Sequence, residues 1–299
     1  MTQQRYLVVG GDSLVGGSLL AALRARGHKA IGTTRRASAV GPKRLYLDIA
    51  GASKADLPTG IDHVFLVAAI SNYGQCETDP TAWPTNVEAI PRLAGFFLEQ
   101  GARVTFISTN MVFGGDRDWP SEDDSHRPTI AYARQKSAGE AAIRATAGQL
   151  GATERLNIVR LTKVVGPETS PFPDWLSTLG NDQPIRPFSD LIFAPISLDY
   201  VGQSLARIGE NWVPGNLHLS GAESIDYARF AREVAKALDK DPNLIQPTTS
   251  AAIGIKLIIK PRCGGLAMTR TQQLTGLQPQ PLGEVVGYLV AENAARQRG

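Results

Sequence analysis

Cysteine is almost missing from this chain: Cys76 and Cys263 are the only two among 299 residues, and they lie far apart. They cannot build a disulfide framework, and no Cys/His spacing resembles a zinc site. No metal centre is therefore expected, and a reducing compartment, the cytoplasm, is. Long hydrophobic runs are lacking as well, since the apolar stretch 64–70 falls far below the ~18 residues a membrane span requires. Polar residues 2–5 lead into an apolar run, 6–9, that is too short for a secretory signal, so the fold is expected to begin at once. Neither sign of charge dominates. With 31 basic and 28 acidic residues the net charge is +3, which leaves no broad basic field for nucleic acid but allows a local basic pocket. His28, His63, His126 and His218 share no spacing and read as structural or solvated. Internal repeats and low-complexity tracts are absent.

What is present has the balance of an ordinary globular protein, 42% hydrophobic and 20% charged. Short Val/Ile/Leu/Phe-rich runs at 6–9, 29–33, 44–47, 63–68, 104–107 and 157–161 predict strands. They alternate with helical periodicity at 14–26, 81–100 and 130–150, which is the pattern of βαβ units building a parallel sheet. Pro84 and Pro91 must sit in a first turn of the second helix or kink it. Beyond Gly166-Pro167 the alternation breaks down among prolines 171, 173, 184, 187 and 195, and a helix is expected again at 226–238. The expected fold class is α/β: a Rossmann-type doubly wound parallel sheet with a smaller C-terminal α/β substrate domain. Residues 1–165, with 190–220 returning to them, form the expected NADP-binding domain, and 166–189 with 221–299 the substrate domain.

The first strand ends in Gly10-Gly11-Asp12-Ser13-Leu14-Val15-Gly16 and a helix follows directly. A glycine turn there lets the backbone approach a pyrophosphate, whose oxygens meet the free N–H groups and the positive end of the helix. Gly10 and Gly16 keep the outer positions, Ser13 takes the middle one, and Leu14 and Val15 open the helix. About 20 residues downstream, where NAD-specific folds place an acid, this sequence has Thr34-Arg35-Arg36. Guanidinium groups pair with the 2′-phosphate of NADP through charge-assisted forks, so NADP(H) is preferred over NAD(H). At the next strand end Asp48 and Ile49 are placed to reach the adenine, although an ordinary strand-terminal Asp remains an equal reading. Ala68 and Ala69, after the fourth strand, complete the expected cofactor contacts.

Tyr132 and Lys136 stand four residues apart at the start of a helix, hence on one face. Just upstream, the strand 104–107 runs into Ser108-Thr109-Asn110-Met111-Val112-Phe113, and strand C-termini are where doubly wound sheets bind ligands. A glycine-rich first turn, a Ser/Thr at this strand end and Tyr-x-x-x-Lys together resemble the extended short-chain dehydrogenase/reductase superfamily. Within it the chain is most similar to the dTDP-4-dehydrorhamnose reductases. Ser108, Thr109, Val112 and Phe113 match their Ser-Thr-Asp-Tyr-Val-Phe motif, as do Cys76-Glu77, Asp79-Pro80, Asn86, Pro128, Gly139-Glu140, Arg160-Leu161 and Gly166-Pro167 their respective positions. The likeness spans about residues 5–205.

The resemblance implies hydride transfer from a nicotinamide to a carbonyl carbon while Tyr132 protonates the oxygen and Thr109 hydrogen-bonds it. Lys136 would favour tyrosinate and hold the nicotinamide ribose. It also implies a nucleotide-linked keto sugar as the small-molecule substrate, and a homodimer. Two departures stand out. At Asn110-Met111 the 4,6-dehydratases of the superfamily carry an acidic pair, so sugar dehydration is not expected; Asn110 is read instead as a substrate contact. Lys163 stands where epimerases commonly place an Asn, and either meets a diphosphate or extends to solvent. Arg262 and Arg186 carry the same two readings. The expected function is an NADP-dependent reductase of a nucleotide-linked 4-keto sugar. An epimerase using the same Thr/Tyr/Lys set and a non-catalytic NADP-binding regulatory subunit are the alternatives. Residues 253–260, rich in Ile and Leu, are read as core or subunit interface.

Overall fold

The computed structural model describes residues 3–298. Met1, Thr2 and Gly299, the ends of the two expected domain segments, lie outside the described residues. Seven strands form one parallel sheet: β1 (Arg5–Val9), β2 (Lys29–Thr34), β3 (Arg44–Tyr46), β4 (His63–Leu66), β5 (Arg103–Thr109), β6 (Leu156–Leu161) and, later in the chain, a strand at Gly215–Leu219. Every residue of β4 and β6, and all but the first of β1 and β5, is covered. Burial on both faces is why these strands read as largely apolar runs rather than alternating ones.

Helix α1 (Leu14–Ala25) crosses from β1 to β2; α2 (Tyr73–Thr78), α3 (Ala89–Glu99) and α4 (Ala131–Gln149) follow in order. The single helix expected at 81–100 is instead a π-helical stretch, Pro84–Glu88, running into α3. Two prolines that cannot donate to the ladder account for the altered pitch. Beyond β6 come β7 (Lys163–Val165), α5 (Phe172–Gly180), β8 (Ile192–Phe193), β9 (Pro195–Ser197), α6 (Leu198–Glu210), β10 (the Gly215–Leu219 strand), β11 (Ile225–Asp226), α7 (Tyr227–Ala237), α8 (Thr269–Thr275) and α9 (Leu282–Arg298). Of these only α7 is an expected element.

The sheet order is β10-β6-β5-β4-β1-β2-β3, so the direction of winding reverses between β1 and β4. That reversal opens a crevice at the strand C-termini. One hydrophobic core fills the face under α3 and α4, with Leu93, Phe97 and Ile143; a second lies under α1 and α6, with Leu19, Leu23 and Leu205. A third, built on Phe172, Trp175, Phe193, Tyr227, Phe230 and Leu289, joins α5, α7 and α9 beside the crevice. No helix among the described residues is long and apolar enough to cross a membrane.

Candidate active site

A cavity of about 1570 Å³ runs from the end of β1 across the ends of β4, β5 and β6 to the third core. Its first wall is the turn after β1. Gly10 has φ +94°, and a side chain there would come within 2.7 Å of the Ala68 amide; one at Gly16 would stand 2.2 Å from the Gly10 carbonyl oxygen. Only glycine lets the helix start so close to the strand. The Ser13 hydroxyl donates to Gly10 O at 2.7 Å and accepts from Gly16 N at 3.1 Å, capping α1. The Leu14 and Val15 amides precede any intrahelical acceptor, and both residues line the cavity, which suits anionic oxygens.

At the ends of β2 and β3 the charges are arranged in a way the sequence did not reveal. Asp12 accepts from Thr34 Oγ1 at 2.5 Å and pairs with Arg36 Nε and Arg44 Nη1, each at 3.2 Å. The Thr34 hydrogen bond, then Arg36, hold its carboxyl below the usual range. Arg36 is thus partly committed, whereas exposed Arg35 makes no ion pair among the described residues. Thr34, Arg35, Arg36, Asp48, Ile49, Ala68 and Ala69 all line this end of the cavity. Asp48 is exposed and accepts from Ala50 N at 3.3 Å, while Ile49 is buried in the core. The glycine cradle, the free helix-start amides and the two arginines fit a dinucleotide phosphate.

Thr109 ends β5, Tyr132 is the second residue of α4, and Lys136 follows one turn later; the three line the middle of the cavity. Burial pushes the Tyr132 phenol far above its ordinary range, only partly offset by a hydrogen bond from Thr109. Tyr73 stacks on its ring at 5.4 Å between centroids. Burial pushes the Lys136 ammonium down to about 8. It donates one proton to Ile107 O at 2.8 Å and lies 4.6 Å from the Phe106 ring centroid, leaving two donors for a ligand.

The polypeptide invests heavily in placing this helix. Glu77 Oε1 accepts from Ala131 N at 2.8 Å and so caps the start of α4. Buried Asn86 donates to Gln135 Oε1 at 2.7 Å and to Ile70 O at 2.9 Å, and Gln135 donates to the Cys76 carbonyl at 3.0 Å. The residues that matched the family pattern around 76–86 therefore seat α4, the helix that carries Tyr132 and Lys136.

Of the expected substrate contacts, Asn110 and Lys163 line the cavity. Asn110 Nδ2 is occupied, donating to Gly264 O at 2.9 Å. Arg262 is exposed and outside the cavity lining, its backbone N–H held by Gly115 O at 2.7 Å; Arg186 is exposed and outside as well. Most of residues 251–260 stays out of the core, with Ile255 48% and Ile258 53% exposed, but Ile259 packs against Met111, Ile130 and Ala133, and Lys256 to Ile259 line the cavity. Both ends of this flap are tied to Asp190, which accepts from Ser250 N and Oγ and pairs with Lys260 Nζ at 2.6 Å.

Residues 4–294 match the family described as RmlD substrate binding domain. The chain is 30% identical over 261 residues to a probable dTDP-4,6-dihydroxy-2-methyloxan-3-one 4-ketoreductase of Streptomyces antibioticus, covering 83% of this chain and 82% of that protein. It is 29% identical over 253 residues to dTDP-4-dehydrorhamnose reductase of Mycolicibacterium smegmatis, covering 83% and 73% respectively. The solved dTDP-4-dehydrorhamnose reductase of Bacillus anthracis in complex with NADP superposes with a TM-score of 0.81 over 98% of this chain and 99% of its own, at 20% identity. At that identity the likeness is one of fold.

Proposed function

The chain belongs to the RmlD substrate-binding-domain family, the dTDP-4-dehydrorhamnose reductase group of the extended short-chain dehydrogenase/reductases, and is an oxidoreductase of that kind; on this footing we propose that it reduces a nucleotide-linked 4-keto sugar with NADPH. The observation that carries the reading is the meeting of Thr109, Tyr132 and Lys136 on one wall of a cavity whose far end is the phosphate-binding turn of α1.

When bound, the nicotinamide supplies a hydride to the carbonyl carbon. Tyr132, kept protonated by burial, gives its phenolic proton to the carbonyl oxygen, so that the ketone leaves as a secondary alcohol. Thr109 orients that oxygen by hydrogen bonding. Lys136 stabilises the phenolate that the proton transfer leaves behind, and its two free donors hold the ribose hydroxyls. Arg35 and Arg36 select the 2′-phosphate, which supports NADPH over NADH. Residues 1–165 with 190–220 serve the cofactor, and 166–189 with 221–299 close over the sugar.

The test is NADPH oxidation by the purified protein with dTDP-linked 4-keto hexoses. Turnover is expected, falling by about 10²- to 10⁴-fold in Tyr132→Phe while NADPH still binds. Sugar inversion with no net consumption of cofactor would instead mark an epimerase. A protein that binds no NADP(H) at all overturns the reading.

A further inference from the structure

Tyr73 stands at the reducing centre and takes no part in the proton transfer. The local sequence fixes it there. Asn72 caps α2 by accepting from Gln75 N at 3.0 Å, which makes Tyr73 the first residue of the helix. This short helix is then lashed to α4: the Cys76 carbonyl accepts from Gln135 Nε2 at 3.0 Å, and Glu77 Oε1 from Ala131 N at 2.8 Å. Tyr73 is thereby held against Tyr132, ring on ring at 5.4 Å with 29° between the planes, and packs with Met111, Ile130 and Ala133.

The stack needs only a ring, and phenylalanine would supply it. The Tyr73 hydroxyl does something else. It makes no hydrogen bond among the described residues, yet it is not one of the polar atoms sealed inside the protein, so it opens on the cavity that Tyr73 lines. Tyr227, the first residue of α7, lines the same cavity with a hydroxyl that is likewise unpartnered and unsealed. After burial, which is the main cause, the nearness of Tyr73 raises the phenols of both Tyr132 and Tyr227, so the three oxygens share one space. A partly buried phenol without a protein partner is unfavourable unless a ligand supplies one. The chemistry of a 4-keto hexose limits which group that is. Its carbonyl oxygen goes to Tyr132 and Thr109; of the two neighbouring ring carbons, C5 bears no hydroxyl and C3 bears one. The C3 hydroxyl lies beside the carbonyl oxygen as Tyr73 lies beside Tyr132.

We propose that Tyr73 is a specificity-determining residue, its phenol hydrogen-bonded to the C3 hydroxyl of a 4-keto sugar whose carbonyl is held by Tyr132 and Thr109. The assignment rests on the reductase reading. A site built around a substrate hydroxyl discriminates against the analogue that lacks it, because the site's own polar group is then left unpaired.

NADPH oxidation by the wild type and by Tyr73→Phe is followed with two ketones, dTDP-4-dehydro-6-deoxyglucose and its 3-deoxy counterpart. In the wild type, kcat/KM is expected to be about 10- to 100-fold higher for the ketone that keeps the C3 hydroxyl. In Tyr73→Phe, which preserves the ring stack, that ratio should fall about 10-fold. A residue that only supports the Tyr132 ring would slow both ketones together; an unchanged ratio therefore overturns the proposal, as does a wild type that reduces the two ketones equally. Tyr132→Phe gives the contrast, slowing both ketones while keeping the ratio. If the wild type reduces neither ketone, the reductase reading fails and the assignment of Tyr73 falls with it; if the wild type turns both over but the ratio ignores Tyr73, the assignment alone is lost.

Discussion

Arg160 grips Glu140 at two points inside the protein, Nε to Oε1 at 3.0 Å and Nη2 to Oε2 at 2.8 Å, with both side chains almost fully buried. The pair bolts α4 to β6. Arg160 is also met by the Glu122 carbonyl, His126 and His218, so the guanidinium is satisfied on every side. Removing one partner strands the other charge. Glu140→Gln should cost about 3–5 kcal/mol in a urea titration. It should also lower kcat, because the helix it releases carries Tyr132 and Lys136.

Acid should unfold this protein from an unusually mild pH. Burial pushes His63 and His218 down to about 3 from the ordinary 6.5, and His126 is lowered as well. Burial works to raise the Glu140 carboxyl, but the hydrogen bonds and charge of Arg160 overcome it and leave it low. In each case the unfolded chain takes up a proton that the folded one refuses. The stability is therefore complete above pH 6.5 and is lost as pH falls below it, by about 1.4 kcal/mol per pH unit for each such histidine. Melting temperatures flat between pH 7 and about 4.5 would contradict this.

Lys136 should set the alkaline limit of activity. With its ammonium at about 8, kcat/KM should fall as pH rises through that value, since the neutral amine no longer stabilises a phenolate. A profile flat to about pH 10, the range of an ordinary lysine, would show that Lys136 remains charged in the free enzyme.

Arg35 and Arg36 should not contribute equally to cofactor choice. Arg35→Ala is expected to weaken NADPH about 10- to 100-fold in a fluorescence titration and to leave NADH unchanged. Arg36→Ala should cost less, because Arg36 already shares its charge with Asp12. Equal losses for both cofactors in Arg35→Ala would move the 2′-phosphate elsewhere.

Untying the flap should affect substrate and spare cofactor. In Asp190→Ala the anchors at Ser250 and Lys260 are both lost. KM for the sugar should rise about 10-fold with NADPH affinity intact, and limited proteolysis should cut between 251 and 260. If both affinities are unchanged, the flap does not cover the substrate.

The interior of the fold was written plainly in the sequence where burial is two-sided. Strands β1, β4, β5 and β6 are largely apolar because both of their faces are covered, and a polar residue enters them where a partner is built for it, as with His63 on Thr105 and Arg160 on Glu140. Edge strand β3 is assigned to Tyr46, one residue short of its apolar pattern, yet Leu47 still donates its N–H to Thr34 O at 2.9 Å and buries its side chain in the core. The second half was harder to read because its prolines suggested irregular chain. Pro173 in fact occupies the first turn of α5, where no amide is needed. Ser197, whose hydroxyl accepts from Tyr200 N, was a readable cap for α6. In the site, spacing placed Thr109, Tyr132 and Lys136 on one wall, but not the Asp12 bridge between Arg36 and Arg44. That contact joins three strand ends and exists only once the sheet is formed. Arg262 was drawn in by its charge alone.

The hydrogen bond from Asn110 to the Gly264 carbonyl also bears on how this chain could change over evolutionary time. An acid at position 110, the residue type that elimination chemistry uses there, would have to set a carboxylate against that carbonyl, two acceptors facing one another with no proton between them. A single amide side chain thus couples what position 110 can be to the course of the backbone near Gly264.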